Sequence, residues 1–143
     1  FVNAAVIAKE RGISFSHSLN TESISFSNMI RVCLTTQEED MLLGGSVFGE
    51  DHFRIVNVLG YELDFRPEGN MIFVRNKDVP GVIGKVGSLL SEANVNIGEY
   101  LLGRSEKSEM AYSVIKVDDQ VTSDLLDQLT HMDEILSAQQ VIL

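Results

Sequence analysis

The spacing of hydrophobic and polar positions changes along the chain, and this change divides the sequence into two halves. Residues 2–12 have the spacing of a helix that ends at a glycine. After this glycine, apolar and polar residues alternate in short runs that are separated by turns. Such alternation is typical of half-buried strands. The first half is therefore predicted to be one helix and an antiparallel sheet with helical cover on one face. Its five predicted strands lie at residues 13–19, 25–36, 41–48, 53–59 and 61–66.

A turn that contains proline and glycine at residues 67–70 is the best candidate for a domain boundary, giving domains of residues 1–68 and 69–143. Beyond it, strands and amphipathic helices follow the order β-α-β-β-α-β, which is the ferredoxin-like arrangement. The first of these helices is expected to have Asp78 as its cap and Pro80 in its first turn. The fold class is therefore predicted to be α+β, an antiparallel sheet with helical cover followed by a ferredoxin-like domain.

Two features of the sequence predict close neighbours, namely glycines inside predicted elements and strands that are apolar on both faces. Gly44 and Gly45 lie inside a predicted strand and indicate a bulge or a close backbone approach. Three further glycines recur at every third residue of the predicted helix, where each costs about 1 kcal/mol relative to alanine, so they predict a close neighbour. Residues 101–102 and 114–115 are apolar on both faces of their strands, which predicts a partner surface. The three helix glycines are Gly81, Gly84 and Gly87.

Charge and chain composition narrow the classes of partner. The 143 residues carry a net charge of −10, and residues 1–69 and 70–143 contribute −5 each. Because a protein that neutralises nucleic-acid phosphates needs a basic patch, we expect no nucleic-acid partner. No apolar run approaches the roughly 20 residues that span a bilayer, so we expect no membrane insertion. A chain that opens on a helix rather than on Met is expected to be a segment of a larger protein.

The chain has a single cysteine, Cys33, which limits the disulfide bonds and metal sites that it can form. One thiol allows no intrachain disulfide, no cysteine-based zinc site and no iron–sulfur cluster within one chain, and this usage fits a reducing, cytoplasmic compartment. The apolar neighbours Ile30, Val32 and Leu34 predict that the thiol lies in a core.

Residue types that carry catalysis are present but not in catalytic patterns. His17, His52 and His131 are far apart, and none has the short spacing of paired metal ligands. The glycine-rich string at residues 44–49 lacks the Lys-Ser/Thr ending of a phosphate-binding loop. We therefore predict no catalytic site, metal site or cofactor in this chain.

The loop at residues 75–81 has the groups that a free amino acid requires. It leads into a helix, whose first N–H groups suit a carboxylate, and Asp78 can bind an ammonium group. The amides of Asn76 and Asn96, at the two ends of that helix, can hold the remaining polar atoms. The simpler alternative is that Asp78 caps the helix and both asparagines lie in turns.

Two arginines form a second candidate cluster. Arg54 and Arg66 lie at the start and the end of neighbouring predicted strands, so an antiparallel pair brings them together. Two convergent guanidinium groups bind a phosphate or carboxylate. The alternative is that both are solvated surface residues.

The sequence resembles a known family over nearly its whole length. Residues 71–84, which include Pro80-Gly81, together with residues 89–90 and 95–97, resemble an ACT domain, the βαββαβ module that senses amino acids. Residues 3–13 and 45–66 resemble the second half of the allosteric substrate-binding domain that precedes ACT in long-form D-3-phosphoglycerate dehydrogenases.

This resemblance implies a parent enzyme that uses NAD to oxidise 3-phosphoglycerate in serine synthesis, with its catalytic and NAD-binding parts outside this chain. It also implies a homo-oligomer formed through the ACT domain, with L-serine or a similar amino acid bound at the ACT–ACT interfaces. The positions of this sequence that form the implied amino-acid site are Asn76, Asp78, Val79, Pro80, Gly81 and Asn96.

For the preceding domain, the resemblance implies a site for phosphate or phosphoglycerate at Arg54, Arg66 and Lys116. Two alternatives remain open, which are the ACT-bearing part of an iron–sulfur L-serine dehydratase and a stand-alone amino-acid-binding regulator. The match at residues 3–13 favours the dehydrogenase.

Overall fold

A computed structural model describes residues 3–19, 28–105 and 108–143 of the chain. The described part contains two four-stranded antiparallel sheets, with the strand orders β1-β2-β3-β4 and β6-β7-β5-β8. The predicted α+β class with a ferredoxin-like second half is confirmed. The helices in this part of the chain are α1 (Ala4–Glu10), α2 (Val82–Glu92) and α3 (Ser123–Thr130). The strands are β1 (Ile30–Thr35), β2 (Asp40–Phe48), β3 (His52–Val58), β4 (Tyr61–Phe65), β5 (Asn70–Lys77), β6 (Ile97–Arg104), β7 (Met110–Val117) and β8 (Ile135–Ile142).

The first sheet differs from its prediction in two segments. The predicted strand at residues 13–19 is wrong, because this stretch is exposed and not paired as a strand in the structure. Alternating residues form a strand only where a second backbone satisfies their N–H and C=O groups. In the next predicted strand, residues 25–27 lie outside the described residues, and the remainder contains β1, which is shorter than predicted. The predicted irregularity is confirmed, since the pairing of β2 with β3 shifts between Gly44 and Gly45, with the extra residue, Val56, on β3.

The prediction that Cys33 is a core thiol is also wrong, because its side chain is exposed. All six residues of β1 are exposed, including the apolar neighbours Ile30, Val32 and Leu34. Strand β1 is paired through its backbone with β2, but no layer covers its side chains among the described residues. None of the seven residues of α1 is buried either.

The second sheet has the helices α2 and α3 on one face. Central strand β5 pairs with both β7 and β8, so its inward side chains form the middle of the core. The Thr122 hydroxyl accepts a hydrogen bond from the Leu125 N–H and caps α3. The buried residues of this core are Ile72, Val74, Val82, Val86, Leu90, Ile115, Val117, Val121, Leu125, Leu129 and Ile135.

Helix α2 starts later than the sequence predicts. Its N-cap is Gly81, with φ of 94° and no side-chain hydrogen bond to the cap, so the prediction that Asp78 caps the helix is wrong. The left-handed φ of Gly81 ends the loop, and glycine adopts this conformation without strain. Asp78 lies three residues earlier, and Pro80 lies in the turn before the helix.

Strand β4 of the first sheet covers the second face of the ferredoxin-like sheet. Leu63 and Phe65 pack with Val114 and Met71 in a second core cluster, which Leu101 also contacts. The two-sided apolar pattern of β6 and β7 thus has its covering surface within the same chain.

The backbones of β4 and β6 approach closely at one glycine. A Cβ atom built on Gly103 would lie 2.9 Å from the Cβ of Tyr61 and 3.1 Å from the Cγ of Leu63. By contrast, Gly84 and Gly87 of α2 have no neighbour within 4 Å of such an atom. The close neighbour predicted for the helix glycines is therefore not found within the described residues. In that part of the chain, no helix is long and apolar enough to cross a membrane.

Candidate functional site

The candidate amino-acid site lies where two parallel strands of the ferredoxin-like sheet end. Strands β5 and β6 both run antiparallel to β7, so their carboxyl ends meet at the same edge. Asp78 follows the last residue of β5, and Arg104 is the last residue of β6. The topology therefore brings together two side chains that are 26 residues apart in the sequence.

Asp78 and Arg104 form an ion pair at this edge. The Nε of Arg104 donates to the Oδ2 of Asp78 at 2.7 Å, and the side chains are 68% and 21% accessible, respectively. The Asp78 backbone is fixed as well, because its N–H donates to the Glu109 carbonyl at 2.7 Å. The site thus presents a partly buried carboxylate on a fixed loop beside an exposed guanidinium.

Asn76 lies at the same end of the sheet, but its side chain faces inward and is only 3% exposed. Its amide donates to the Lys77 carbonyl at 2.7 Å, and its Oδ1 accepts from the Ser113 hydroxyl at 3.4 Å. Ser113 in turn accepts from the Tyr100 hydroxyl at 3.3 Å. Burial raises the pKa of Tyr100, against a smaller lowering by the hydrogen bond with Ser113. This buried polar chain holds the end of β5 in place.

The loop residues Val79, Pro80 and Gly81 form the exposed turn between β5 and α2. The chain is held on both sides of this turn, since the Lys77 N–H donates to the Glu134 carbonyl at 2.8 Å and the Lys85 N–H donates to the Gly81 carbonyl at 3.0 Å. These exposed residues directly follow Asp78 in the chain.

Asn96 lies at the opposite end of the same sheet. It directly precedes Ile97, which pairs with Val117, whereas Arg104 pairs with Ala111. Six residues of strand separate these pairs, which corresponds to roughly 20 Å. The Asn96 amide donates to the Asp118 carboxylate at 2.7 Å. One chain therefore does not bring Asn96 to Asp78.

The two arginines of the predicted anion cluster lie on neighbouring positions of β3 and the end of β4, and each is next to a carboxylate. Ile55 pairs with Phe65, so Arg54 and Arg66 both lie one step beyond this pair. Arg54 binds the carboxylate of Asp64 and also donates to the Asp64 carbonyl at 3.0 Å. Arg66 lies 3.9 Å from the carboxylate of Glu68.

Lys116 lies on β7, opposite Met71 and Glu99. It lines an open pocket that also contains Glu68, the neighbour of Arg66, and Asp118. Because three carboxylates and one ammonium group line this pocket, its electrostatic potential does not favour an anion. Glu68 lies beside Arg66 and also lines the pocket that contains Lys116.

Arg104, Ser113 and Tyr100 contact the candidate site residues Asp78 and Asn76 directly or through one another, and the sequence analysis missed all three. A signal for Arg104 was present, because the predicted β-α-β-β-α-β order makes its strand parallel to the strand before Asp78. Charged residues at the carboxyl ends of two such strands are candidates for one site. The contact of Ser113 with Asn76 depends on the pairing register, which the pattern alone does not give.

Comparisons with known proteins place both halves of the chain. Residues 1–59 match the family model of the D-3-phosphoglycerate dehydrogenase intervening domain, and residues 70–130 match that of the ACT domain. A solved ACT domain from the GTP pyrophosphokinase of Chlorobium tepidum is 16% identical with a TM-score of 0.42, covering 52% of this chain and 97% of that one.

Full-length relatives carry the same two regions together. The D-3-phosphoglycerate dehydrogenase of Bacillus subtilis is 32% identical over 98% of this chain, and that of Archaeoglobus fulgidus is 34% identical over 98%. The chain spans about 27% of the length of each relative. By these matches the chain belongs to the D-3-phosphoglycerate dehydrogenase family, as a regulatory region made of an intervening-domain segment followed by an ACT domain.

Proposed function

We propose that this region senses L-serine or a closely related amino acid for a D-3-phosphoglycerate dehydrogenase. The observation that carries the proposal is the Asp78 carboxylate, 21% accessible on a loop fixed by its own backbone hydrogen bond, within a domain that matches the ACT family. A partly buried carboxylate, with less water around it, binds an ammonium group more strongly than a fully exposed one does.

The complete site in this proposal needs two copies of the chain. Asn96 lies roughly 20 Å from the Asp78 end of its own sheet, but a twofold axis brings opposite ends of two sheets together. Strand β6 is an edge strand that begins next to Asn96 and ends at Arg104, the partner of Asp78. Among the described residues, no strand of this chain pairs with its outer side. A symmetric homodimer along β6 therefore places Asn96 of one copy beside Asp78 of the other.

Each group then has a defined task. The Asp78 carboxylate binds the ammonium group, while Asn96 of the second copy and the N–H groups at the start of α2 bind the hydroxyl and carboxylate of the effector. Asn76 acts as a positioning residue, because its amide already bonds to Lys77 and Ser113. The loop residues Val79 and Pro80 shield the bound amino acid from water.

The anion site at Arg54, Arg66 and Lys116 remains a prediction for a second effector, and Arg54 and Arg66 carry it, because carboxylates outnumber cations in the pocket that Lys116 lines. An incoming phosphate competes with Asp64 for Arg54 and with Glu68 for Arg66. The oxidation of 3-phosphoglycerate with NAD is proposed for the parent enzyme, in parts of the relatives that this chain does not span.

Titration calorimetry with L-serine tests the amino-acid proposal. A ligand of about seven non-hydrogen atoms at about 1 kcal/mol per atom binds with a Kd of roughly 10 μM or weaker. Asp78→Asn removes the charge and keeps the shape, so we expect binding at least about tenfold weaker. The matched control is Asp51→Asn, which removes an exposed carboxylate from the turn between β2 and β3. Equal binding of L-serine by Asp78→Asn and the unmodified chain would contradict the proposal.

A further inference from the structure

The ion pair beside the Asp78 loop has unused binding capacity on both partners. Asp78 is contacted by Arg104 through one oxygen, Oδ2, and Arg104 uses only its Nε for this contact among the described residues. The side chain of Arg104 is 68% accessible, so a ligand can approach its guanidinium group from solvent. A planar guanidinium group binds a carboxylate through two parallel hydrogen bonds at that end.

An α-amino acid has its ammonium and carboxylate groups on the same carbon atom. It therefore requires an acceptor and a pair of donors within a few ångströms of each other. The 2.7 Å contact between Asp78 and Arg104 provides this arrangement before any ligand arrives. Both poles of the amino acid can bind without breaking the existing pair.

Both side chains project from fixed backbone. Arg104 ends β6 and pairs with Ala111 of β7, while the Asp78 N–H is bonded to the Glu109 carbonyl. A site whose groups are already held in place loses little conformational entropy when the ligand binds.

We propose that Arg104 is a further effector-binding residue that recognises the α-carboxylate. Asp78 and Arg104 together then select free α-amino acids over amines and amides that lack a carboxylate. This inference rests on the proposed function, because it assigns Asp78 to the ammonium group of the same ligand.

Calorimetry with three ligands tests the assignment, with L-serine as the effector, L-serinamide lacking the carboxylate charge, and ethanolamine lacking the carboxyl group. The unmodified chain should bind L-serine at least about tenfold more tightly than either analogue, because a charge-assisted bidentate contact is lost. Arg104→Gln should weaken L-serine binding by about tenfold and reduce the preference over L-serinamide to about twofold. Arg104→Lys keeps the charge without the planar fork and should lie between the two.

Arg31→Gln is the matched control, because Arg31 is an exposed arginine of β1 on the other sheet. Its L-serine affinity and ligand preference should equal those of the unmodified chain. Melting temperatures identify any variant that fails to fold. If Arg104→Gln does not fold, Arg104→Lys still tests the role of Arg104.

The outcomes separate this inference from the proposed function. If Asp78→Asn loses binding while Arg104→Gln keeps both affinity and preference, the role of Arg104 is wrong and the proposed function stands. Tighter L-serine binding by Arg104→Gln would show that Arg104 competes with the ligand for Asp78, which also overturns the inference. If the unmodified chain binds no α-amino acid, the proposed function fails, and the inference fails with it.

Discussion

The ferredoxin-like sheet of the ACT domain (the ACT sheet) is covered by helices on one face and by β4 on the other. Strand β1 of the first sheet, by contrast, is exposed along its whole length. In the ACT sheet, Ile72 and Ile115 are buried beneath the helices and Val114 is buried beneath β4. In the first sheet, β4 reaches a core only where it meets the ACT domain, through Leu63 and Phe65. Strands of similar alternating pattern therefore differ in burial because they differ in what covers them.

This difference shows that the pairing of a strand and the burial of its side chains are separate properties, although a hydrophobic pattern is often used to predict both. Strand β1 keeps all its backbone pairs with β2 from Ile30 to Thr35, although its apolar side chains are exposed. Backbone pairing depends on one neighbouring strand, whereas side-chain burial depends on a second layer. The pattern predicted the strand correctly and its burial incorrectly.

The largest expected difference between the two sheets lies in matched leucine truncations. Leu90→Ala in α2 removes a fully buried side chain and should lower the free energy of unfolding by about 2–5 kcal/mol. Leu34→Ala in β1 removes a side chain that is 48% exposed and should cost about 1 kcal/mol or less. Urea unfolding of both variants measures the difference. Equal losses would mean that a layer covers β1 in solution.

The contact between the sheets has its own test at Gly103. Gly103→Ala places a Cβ atom 2.9 Å from the Cβ of Tyr61, so the backbones of β4 and β6 must separate. We expect a loss of about 1–3 kcal/mol in unfolding free energy, as for other overpacked sites. Unchanged stability would show that β4 does not pack on β6 as closely as the structure has it.

Gly84→Ala is the matched glycine variant, and it should have the opposite sign. The added methyl group meets nothing within 4 Å, and alanine is favoured over glycine in a helix interior. We expect a gain of about 1 kcal/mol, measured by urea unfolding at low protein concentration. A loss at high concentration only would place a second copy of the chain against α2.

The smallest expected effect is a pH dependence of the ACT domain at the contact of Lys85 with Glu134. The hydrogen bond from Lys85 is the main cause that lowers the pKa of Glu134 below its usual value of 4.5. A carboxyl group with a lowered pKa in the folded state contributes stability above pH 4.5, and this contribution is lost as the pH falls through the folded value. Unfolding at stepped pH should show a smaller acid-induced loss for Lys85→Met than for the unmodified chain. The control Glu38→Gln, in the turn before β2, should leave the loss unchanged.

The sequence was informative wherever structure depends on local spacing. The order of strands and helices along the ACT domain and the irregular pairing at Gly44 and Gly45 follow from periodicity and residue type. These features require only neighbours in the chain or one paired strand.

Features that depend on distant neighbours were predicted less well. Cys33 is exposed because no layer covers it among residues 3–19, 28–105 and 108–143, and the start of α2 reflects the conformation of Gly81 rather than the capping preference of Asp78. The contact of Asp78 with Arg104 needs the parallel alignment of two strands that are not adjacent in the sheet. Spacing along the chain does not contain that information directly.

A mixing experiment tests the central claim, that one amino-acid site is built from Asp78 of one copy and Asn96 of another. Homodimers of Asp78→Asn and of Asn96→Ala should each lose L-serine binding, because every site lacks one group. In a mixed dimer, the Asp78→Asn chain supplies an intact Asn96 and the other chain supplies an intact Asp78. One of the two sites is then complete.

After an equal mixture is refolded together, half of the dimers are mixed, so calorimetry should recover about one quarter of the original number of L-serine sites. Each recovered site should have an affinity close to that of the unmodified chain. No recovery from two variants that fold and associate normally, or full binding by Asn96→Ala alone, would contradict a site shared between two copies.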